Sequence, residues 1–335
     1  MWHDIILFLI GLALIIAGGN YVTDGASAVA RRFKVSNLVI GLTVVAFGSS
    51  MPDLVVCLMS TLSGRSQIAL GDVVGANIFD ILLAVGVVAM VRPIRLSGEM
   101  LKQDLPMLAL ASIMLFVCGD DMLFDHYPAN HIDRTDGLML LGFFVIFMCY
   151  TISASTARAR LQGPPEAASP ESEVADGVAG PQMKMWLAAA AIIGGLAALM
   201  VGGDWLVDGA SGLARHWGMS EGMVWLTIVA IGGAAPDLAT SLIAAIKKQP
   251  GIALGNVVGA CIFNVFFIMG VCATVRPLDA GTITVVDFAT LAGGSLLLWL
   301  FGGRFGYRVI GRAEGAILTL AYCAYMAYVI ITGVK

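Results

Sequence analysis

Two short segments place an acidic residue directly after a proline in the middle of a long apolar run. Residues 48–53 read Gly-Ser-Ser-Met-Pro-Asp, and residues 232–237 read Gly-Gly-Ala-Ala-Pro-Asp. Because proline has no N–H to donate, each segment frees the backbone carbonyl four residues before it. Free carbonyl oxygens beside a carboxylate are the hard ligands that calcium and sodium ions prefer. The pattern therefore predicts a cation site that includes Asp53 and Asp237.

Hydroxyl groups flank both acids. Ser49 and Ser50 lie four and three residues before Asp53, which places their side chains on the same helical face as the carboxylate. Thr240 and Ser241 follow the second acid by three and four residues. We expect these two hydroxyls to bond to the backbone of their own helix, with a role as replacement ligands as the alternative.

Two further segments end in a polar side chain. Residues 71–80 read Gly-Asp-Val-Val-Gly-Ala-Asn-Ile-Phe-Asp, and residues 255–264 read Gly-Asn-Val-Val-Gly-Ala-Cys-Ile-Phe-Asn. Asp80 and Asn264 could complete a ring with the two acids that follow the prolines. Three carboxylates and one amide could neutralise a divalent ion and leave charge for monovalent ions or a proton. Asp72 is expected at a helix end or in a vestibule rather than as a direct ligand.

The composition places these groups in a membrane. Of 335 residues, 59% are hydrophobic and 13% are charged, and the mean hydropathy is +0.89, whereas soluble domains carry about 25% charged residues. The net charge is −4, with no basic stripe that could bind a nucleic acid. We therefore predict an all-α integral membrane protein whose partners are the lipid bilayer and inorganic cations, with no nucleic acid.

Ten apolar runs are long enough to cross a bilayer, which takes about 20 residues. They cover residues 5–29, 36–62, 67–90, 101–118, 137–156, 185–213, 220–246, 252–275, 281–302 and 313–332. A polar segment rich in Pro, Ser and Glu, residues 157–184, reads as a linker. It separates a first five-helix repeat over residues 1–156 from a second over residues 185–335.

The two halves are copies at one fixed offset. Pro52 and Pro236 are 184 residues apart, and the same offset aligns the two acids that follow them. Five is an odd number of crossings, so the copies must enter the membrane in opposite senses. Inverted repeats of this kind are the architecture of secondary transporters, which bind their ions near the midplane. Gly75 and Gly259 are expected to let the broken helix just before each of them approach closely.

The basic residues predict the orientation. Fourteen of the 19 Lys and Arg residues lie in connections that follow odd-numbered helices, and five lie on the opposite side. Because positive charge stays cytoplasmic, both termini are expected outside and the linker inside the cell. Asp24 and Asp208, near the ends of the first and sixth helices, are expected in helix-end or ion-pair roles.

The doubled segments resemble a known family. They look like the two alpha repeats of the cation/calcium exchanger superfamily, with its Gly-x-Ser-x-Pro-acid and Gly-Asn-x-x-Gly-Ser-Asn-x-x-Asn/Asp motifs, over nearly the whole chain. The resemblance implies side-chain cation ligands at Asp53, Asp237, Asp80, Asn264, Ser49 and Ser50, and backbone carbonyl ligands at Ala46 and Ala230. It also implies a bacterial inner-membrane location. No cofactor is expected beyond the transported ions, and a monomer would suffice for transport.

Several positions depart from the family pattern. Gly233 and Ala234 stand where the family usually has hydroxyl side chains, and Ala76 and Ala260 replace serines. Because sodium sites depend on such hydroxyls, these departures favour proton coupling, or a different divalent substrate, over sodium coupling. The expected function is a secondary-active antiporter that exports calcium, or another divalent cation, in exchange for sodium or protons by alternating access.

Three other hypotheses remain open at this point. One is a cation/proton exchanger for a divalent ion other than calcium, and another is a relative that binds cations without exchanging them. The third is an intramembrane aspartyl enzyme that uses two carboxylates as acid and base. The enzyme hypothesis leaves the inverted repeat and the freed carbonyls unexplained, so we expect the protein not to be an enzyme.

Overall fold

The computed structural model describes residues 2–33, 37–120, 130–161, 183–216, 234–279, 283–305 and 308–333. The helices are α1 (Trp2–Phe33), α2 (Leu38–Ser49), α3 (Met51–Leu62), α4 (Ser66–Val91), α5 (Met100–Gly119), α6 (Arg134–Leu161), α7 (Met185–His216), α8 (Ala235–Ile246), α9 (Pro250–Val275), α10 (Val285–Gly303) and α11 (Arg312–Gly333). Four short strands are β1 (Ile94–Arg95), β2 (His131–Ile132), β3 (Leu278–Asp279) and β4 (Val309–Ile310).

The described helices form the expected all-α membrane architecture. Eight of them are long and apolar enough to cross a bilayer, and the pair α2 and α3 makes a ninth span. The seventh predicted span, residues 220–246, is described only over α8, because residues 217–233 lie outside the described part of the chain. Most observed helices extend a few residues past the predicted bounds; for example, α1 ends at Phe33 rather than at residue 29. Helix α10 instead begins at Val285, four residues after the predicted start at residue 281.

Helices α2 and α3 are one span that breaks at Ser50, where their axes bend by 45°. Pro52 lies in the first turn of α3. Backbone N–H groups in the first turn have no hydrogen-bond partner within the helix, so proline costs no bond there. Pro236 occupies the same place in α8. Asp53 and Asp237 therefore both lie in the first turn of a helix, where the backbone dipole favours negative charge.

Helices α1 and α7 pack antiparallel along a line of small residues. A methyl group added to Gly11 would lie 2.7 Å from the carbonyl oxygen of Gly202, and one added to Gly18 would lie 2.7 Å from that of Gly195. A third close approach lies seven residues later in α1 and seven residues earlier in α7, between Gly25 and Ala188. From one contact to the next, the residue number increases in α1 and decreases in α7, so the two helices run antiparallel. Because α1 and α7 are equivalent in sequence, their antiparallel packing is the arrangement that an inverted repeat requires.

Helix α9 is crossed by the first half of the broken span from the other repeat. A methyl group added to Gly259 would lie 2.7 Å from the carbonyl oxygen of Leu42 and 2.7 Å from the Cβ atom of Ala46. Gly259 therefore packs against the broken span of the other repeat. The predicted approach of the helix just before it stays a prediction, because residues 217–233 lie outside the described part of the chain. At Gly75 no atom of the described chain lies within 4 Å of an added methyl group.

Two antiparallel ribbons connect the repeats. Strand β1 pairs with β4, with Ile94 opposite Ile310, and β2 pairs with β3, with Ile132 opposite Leu278. All four of these side chains are buried. Each ribbon joins a connection of the first half to a connection of the second, so the fold depends on both halves together.

The α1–α7 seam gives a stability prediction with an internal control. In Gly195→Ala the new methyl group would meet the carbonyl oxygen of Gly18 at 2.8 Å and the backbone nitrogen of Val22 at 2.9 Å. Overpacking of this kind costs about 1–3 kcal/mol, so we expect a lower unfolding temperature in detergent. Gly194→Ala, where no atom of the described residues lies within 4 Å, is expected to unfold at the wild-type temperature or above. Equal unfolding temperatures for the two variants would contradict the close approach.

Candidate cation site

Three carboxylates from three helices lie in the interior. Asp80 is 1% exposed and Asp237 is 9% exposed, and Asp53 is half-buried. The carboxylates repel one another electrostatically, Asp53 with Asp237 and Asp80 with both. Among the described residues, no lysine or arginine forms a salt bridge with any of the three. A negative centre of this kind inside a membrane protein needs a cation or a proton for balance.

Asp80 and Asn264 occupy equivalent places in α4 and α9. Each is the second residue of a π-helical segment, Phe79–Ala84 in α4 and Phe263–Met269 in α9. Such widened turns occur frequently at functional sites. Both side chains are 1% exposed, so the helices point these two polar groups into the protein and not toward lipid.

Asn256 of α9 connects the second acid to the first repeat. Its Nδ2 donates to Asp237 Oδ1 at 3.1 Å and to Ser241 Oγ at 3.4 Å, and its Oδ1 accepts from Ser49 Oγ at 3.4 Å. The side chain is fully buried. One amide thus positions the carboxylate of α8 and contacts the end of α2. Asn256 was not among the residues predicted from the sequence; the signal for it is its place in the doubled motif, at the position equivalent to Asp72.

A second buried network links the two π-helical segments. Asn264 Nδ2 donates to Asn77 Oδ1 at 3.1 Å, and Asn77 Nδ2 donates to the carbonyl oxygen of Cys261 at 3.3 Å. The Sγ atom of Cys261 lies 4.0 Å from Asp80 Oδ2. Asn264 of repeat two and Asp80 of repeat one are therefore connected through Asn77 of α4 and Cys261 of α9. Asn77 is the second residue that sequence reasoning missed.

Four buried oxygen atoms of this region have no hydrogen-bond partner among the described residues. They are Ser50 Oγ, Asp80 Oδ1, Thr240 Oγ1 and Asn264 Oδ1. The expectation that Thr240 bonds to its own helix is wrong, because its hydroxyl makes no bond to the carbonyl one turn earlier. Unpaired buried oxygens are costly, and a set made of carboxylate, amide and hydroxyl oxygens suits a hard cation.

The remaining predicted ligands lie at or beside the break. Ser49 Oγ donates to the carbonyl oxygen of Ala46 at 3.1 Å, and the backbone N–H of Ser50 donates to the same oxygen at 3.0 Å. Ala230 lies outside the described residues. Within the described ranges no three His, Cys, Asp or Glu side chains come close enough to form a metal site by themselves. A cation between the acids therefore needs hydroxyl, amide or backbone oxygens as well.

Two other acids have partners of their own. Asp72 accepts a hydrogen bond from Cys57 Sγ at 3.6 Å and repels Asp53. Its placement at a helix end or in a vestibule stays a prediction. Asp24 forms an ion pair with Lys247 at 2.8 Å. The predicted ion-pair role of Asp24 is confirmed, and the pair joins α1 to the residue that follows α8.

Comparison with known proteins gives matches along almost the whole chain. The profile of the sodium/calcium exchanger protein family matches residues 3–153 and 187–331, one match in each half. CaxA of Alkalimonas amylolytica is 34% identical over 323 residues, which cover 96% of both chains. Inner membrane protein YrbG of Escherichia coli is 30% identical over 323 residues, or 96% of this chain and 95% of YrbG.

The fold is also similar to solved structures of the sodium-calcium exchanger NCX_Mj. The form soaked with zero Na+ and Ca2+ superposes with a TM-score of 0.79 at 28% identity, covering 98% of this chain and 99% of that one. The form soaked with 2.5 mM Na+ and 0.1 mM Ca2+ has a TM-score of 0.78 at 29% identity, covering 97% of each chain.

Removing the amide of Asn256 should weaken cation binding without unfolding the protein. A hydrogen bond to a buried charged group contributes about 1.5–3 kcal/mol, so Asn256→Ala should bind calcium about tenfold or more weakly. The measurement is equilibrium binding of labelled calcium to the detergent-solubilised protein. Ser295→Ala removes an equally buried hydroxyl that only bonds to its own helix at Ala292, and it should bind calcium like the wild type. Wild-type affinity in Asn256→Ala would exclude the positioning role.

Proposed function

The chain belongs to the sodium/calcium exchanger protein family, and on this premise we propose that it is a secondary-active antiporter. It exports calcium, or another divalent cation, in exchange for sodium or protons by alternating access. The observation that carries the proposal is the set of three mutually repelling carboxylates, Asp53, Asp80 and Asp237, with no basic side chain bonded to them among the described residues. A transported cation supplies the balancing charge.

The chain is a membrane cation/calcium antiporter of this family and not an enzyme, because its relatives are exchangers. One of them, the sodium/calcium exchanger MaX1 of Methanosarcina acetivorans, is 27% identical over 350 residues, which cover 96% of this chain and 97% of MaX1. The intramembrane aspartyl enzyme therefore has no support from the relatives.

The proposed ligands come from both repeats. Side-chain oxygens are contributed by Asp53, Asp237, Asp80, Asn264, Ser49 and Ser50, and backbone carbonyl oxygens by Ala46 and Ala230. Thr240 joins them because its buried hydroxyl has no partner among the described residues. Calcium takes six to eight oxygen ligands in a flexible geometry, so a site formed where two repeats meet can change its ligand number as the repeats move.

Alternating access requires one part of the protein to move against another. We propose that the moving part is the pair α1 and α7, which contact each other backbone to backbone along their lengths. The remaining helices carry the proposed ligands and form the other part. The whole molecule is then ten membrane-spanning helices in two inverted repeats, residues 1–156 and 185–335, joined by a cytoplasmic linker over residues 157–184.

The driving ion is either sodium or a proton. Repeat two offers Ala234 at the position where repeat one has Ser50, so it has fewer hydroxyl oxygens for a weakly bound sodium ion. Protons need no such ligands, because a buried carboxylate can take one directly. This difference keeps proton coupling, and a divalent substrate other than calcium, within the proposal.

Orientation, location and assembly complete the proposal. From the distribution of basic residues we infer that both termini lie outside the cell. The relative YrbG is named as an inner membrane protein, which supports the inner membrane of a bacterium for this chain. Because both proposed ligand sets come from one chain, a monomer suffices for transport.

The central prediction is that both acids after the prolines are essential for exchange. Asp53→Asn or Asp237→Asn should reduce calcium flux in proteoliposomes to background, because each removes one unit of charge from the site. Asp133→Asn removes an exposed carboxylate far along the chain from the site and should transport normally. The folded state is checked by size-exclusion chromatography in detergent. Full calcium flux in both site variants would disprove the proposal.

The driving ion can be identified by imposing one gradient at a time. Proteoliposomes loaded with labelled calcium are diluted into media that provide an inward sodium, potassium or proton gradient. An antiporter should release calcium only with the gradient of its counter-ion, and in a fixed stoichiometry. Release at the same rate without any gradient would instead identify a channel-like relative. If calcium does not move, the same protocol with manganese or strontium tests another divalent substrate.

A further inference from the structure

Cys261 places a sulfur atom beside one of the buried acids. The residue is equivalent to Asn77 at the offset of 184 residues, and the family motif has asparagine at both positions. The side chain of Cys261 is fully buried in α9. Its Sγ donates to Asp80 Oδ2 of α4 at 4.0 Å. A free cysteine in a protein interior ordinarily packs as a small hydrophobe, whereas this one contacts a carboxylate.

The amide of Asn77 and the thiol of Cys261 have different roles. Asn77 Nδ2 donates to the backbone carbonyl oxygen of Cys261 at 3.3 Å, and Asn77 Oδ1 accepts from Asn264 Nδ2 at 3.1 Å. The amide therefore connects α4 to α9. The thiol is a weak donor, so its contact with Asp80 adds little to the packing of the two helices. A bound ion can replace this contact at little cost.

Two oxygen atoms of the same cluster are buried without a hydrogen-bond partner among the described residues. They are Asp80 Oδ1 and Asn264 Oδ1, and both side chains are 1% exposed. Asn264 lies three residues after Cys261, so the two side chains share one face of α9. Unpaired buried oxygens carry a desolvation cost that a metal ion can remove. The cluster therefore offers a carboxylate oxygen, an amide oxygen and a sulfur atom.

The spacing of the sulfur and the carboxylate suits a metal ion between them. A tetrahedral zinc ion lies about 2.3 Å from sulfur and about 2.1 Å from a carboxylate oxygen, which separates these two ligands by about 3.6 Å. The observed separation between Cys261 Sγ and Asp80 Oδ2 is 4.0 Å, so a small movement of the two side chains brings them to this distance. Calcium takes oxygen ligands, so a sulfur atom adds nothing to a calcium site.

From this geometry we propose that Cys261 Sγ is a direct ligand of the bound cation and makes the site selective for thiophilic divalent cations over calcium. Zinc and cadmium belong to this class, because both bind sulfur tightly. The inference rests on the proposed antiport function and names its substrate class. When such an ion binds, the thiol releases its proton to the medium. The thiolate and the Asp80 carboxylate then balance the two charges of the ion.

The experiment measures equilibrium binding of labelled cadmium and labelled calcium to the detergent-solubilised full chain. The reference chain carries Cys149→Ser and Cys323→Ser, because these two cysteines are exposed and could bind cadmium by themselves. Cys261→Ser and Cys261→Ala remove the proposed ligand from the reference chain. Cys272→Ser is the matched control, because Cys272 is an equally buried cysteine of α9, eleven residues after Cys261 and about 16 Å further along the axis.

The reference chain should bind cadmium more tightly than calcium. Cys261→Ser and Cys261→Ala should bind cadmium about tenfold to hundredfold more weakly, a loss that even an outer-shell partner of a metal causes, and calcium with nearly the reference affinity. Cys272→Ser should retain both affinities. Tighter binding of calcium than of cadmium by the reference chain, unchanged cadmium affinity or an equal loss for both ions in the Cys261 variants, or the same cadmium loss in Cys272→Ser would overturn the proposal.

A second measurement uses only the reference chain, so it does not depend on the folding of a Cys261 variant. Cadmium bound to a thiolate has an ultraviolet charge-transfer band that oxygen ligands do not give. One equivalent of cadmium should produce this band, and calcium in sufficient excess should abolish it, because the two ions compete for one site. Absence of the band, or a band that calcium leaves unchanged, would overturn the proposal.

Failure of the antiport function would give a different result. Proteoliposomes are loaded with labelled cadmium or labelled calcium, and a gradient of sodium, potassium or protons is imposed one at a time. If neither ion moves although cadmium binding depends on Cys261, the antiport function fails and the role of Cys261 stands. If calcium moves but cadmium binding does not depend on Cys261, the antiport function stands and the role of Cys261 is overturned.

Discussion

An ionised carboxylate that enters a bilayer loses its hydration, and the protein must replace those lost interactions with its own atoms or with an ion. The interior of this protein replaces them only in part. Asp237 receives one amide hydrogen bond from Asn256, and the two acids after the prolines lie in the first turn of a helix. Asp80 keeps one oxygen without a partner among the described residues. A cation that binds between these acids supplies the electrostatic interactions that the surrounding side chains do not provide.

The two repeats meet this constraint in unequal ways. In repeat two, Asn256 donates to both Asp237 and Ser241, whereas in repeat one the equivalent residue, Asp72, accepts from the thiol of Cys57 and repels Asp53. Inverted symmetry fixes where the polar groups lie, but it does not fix their charge. The chain can therefore present different electrostatic surroundings to a cation at its two ends while both halves keep the same backbone plan.

The sequence was sufficient for the features that lie along one helix. A proline followed by an acid in apolar sequence is visible without any knowledge of folding, and so is its repetition after 184 residues. Contacts between the repeats were not accessible in this way. Asn256 reaches Ser49 across 207 residues, and Gly259 packs against the opposite repeat. The hydroxyl of Thr240 has no hydrogen-bond partner within the described ranges, which depends on tertiary packing, and the π-helical turns at Asp80 and Asn264 have no local sequence signature.

The glycine contacts between α1 and α7 form two equivalent pairs. Gly11 and Gly195 are equivalent residues, as are Gly18 and Gly202, yet Gly11 touches Gly202 and Gly18 touches Gly195. In a pair of identical half-length chains these would be one isologous contact counted twice, and every substitution would strike both sides at once. In one polypeptide the two contacts are separate, so a substitution at Gly11 leaves the contact between Gly18 and Gly195 unchanged.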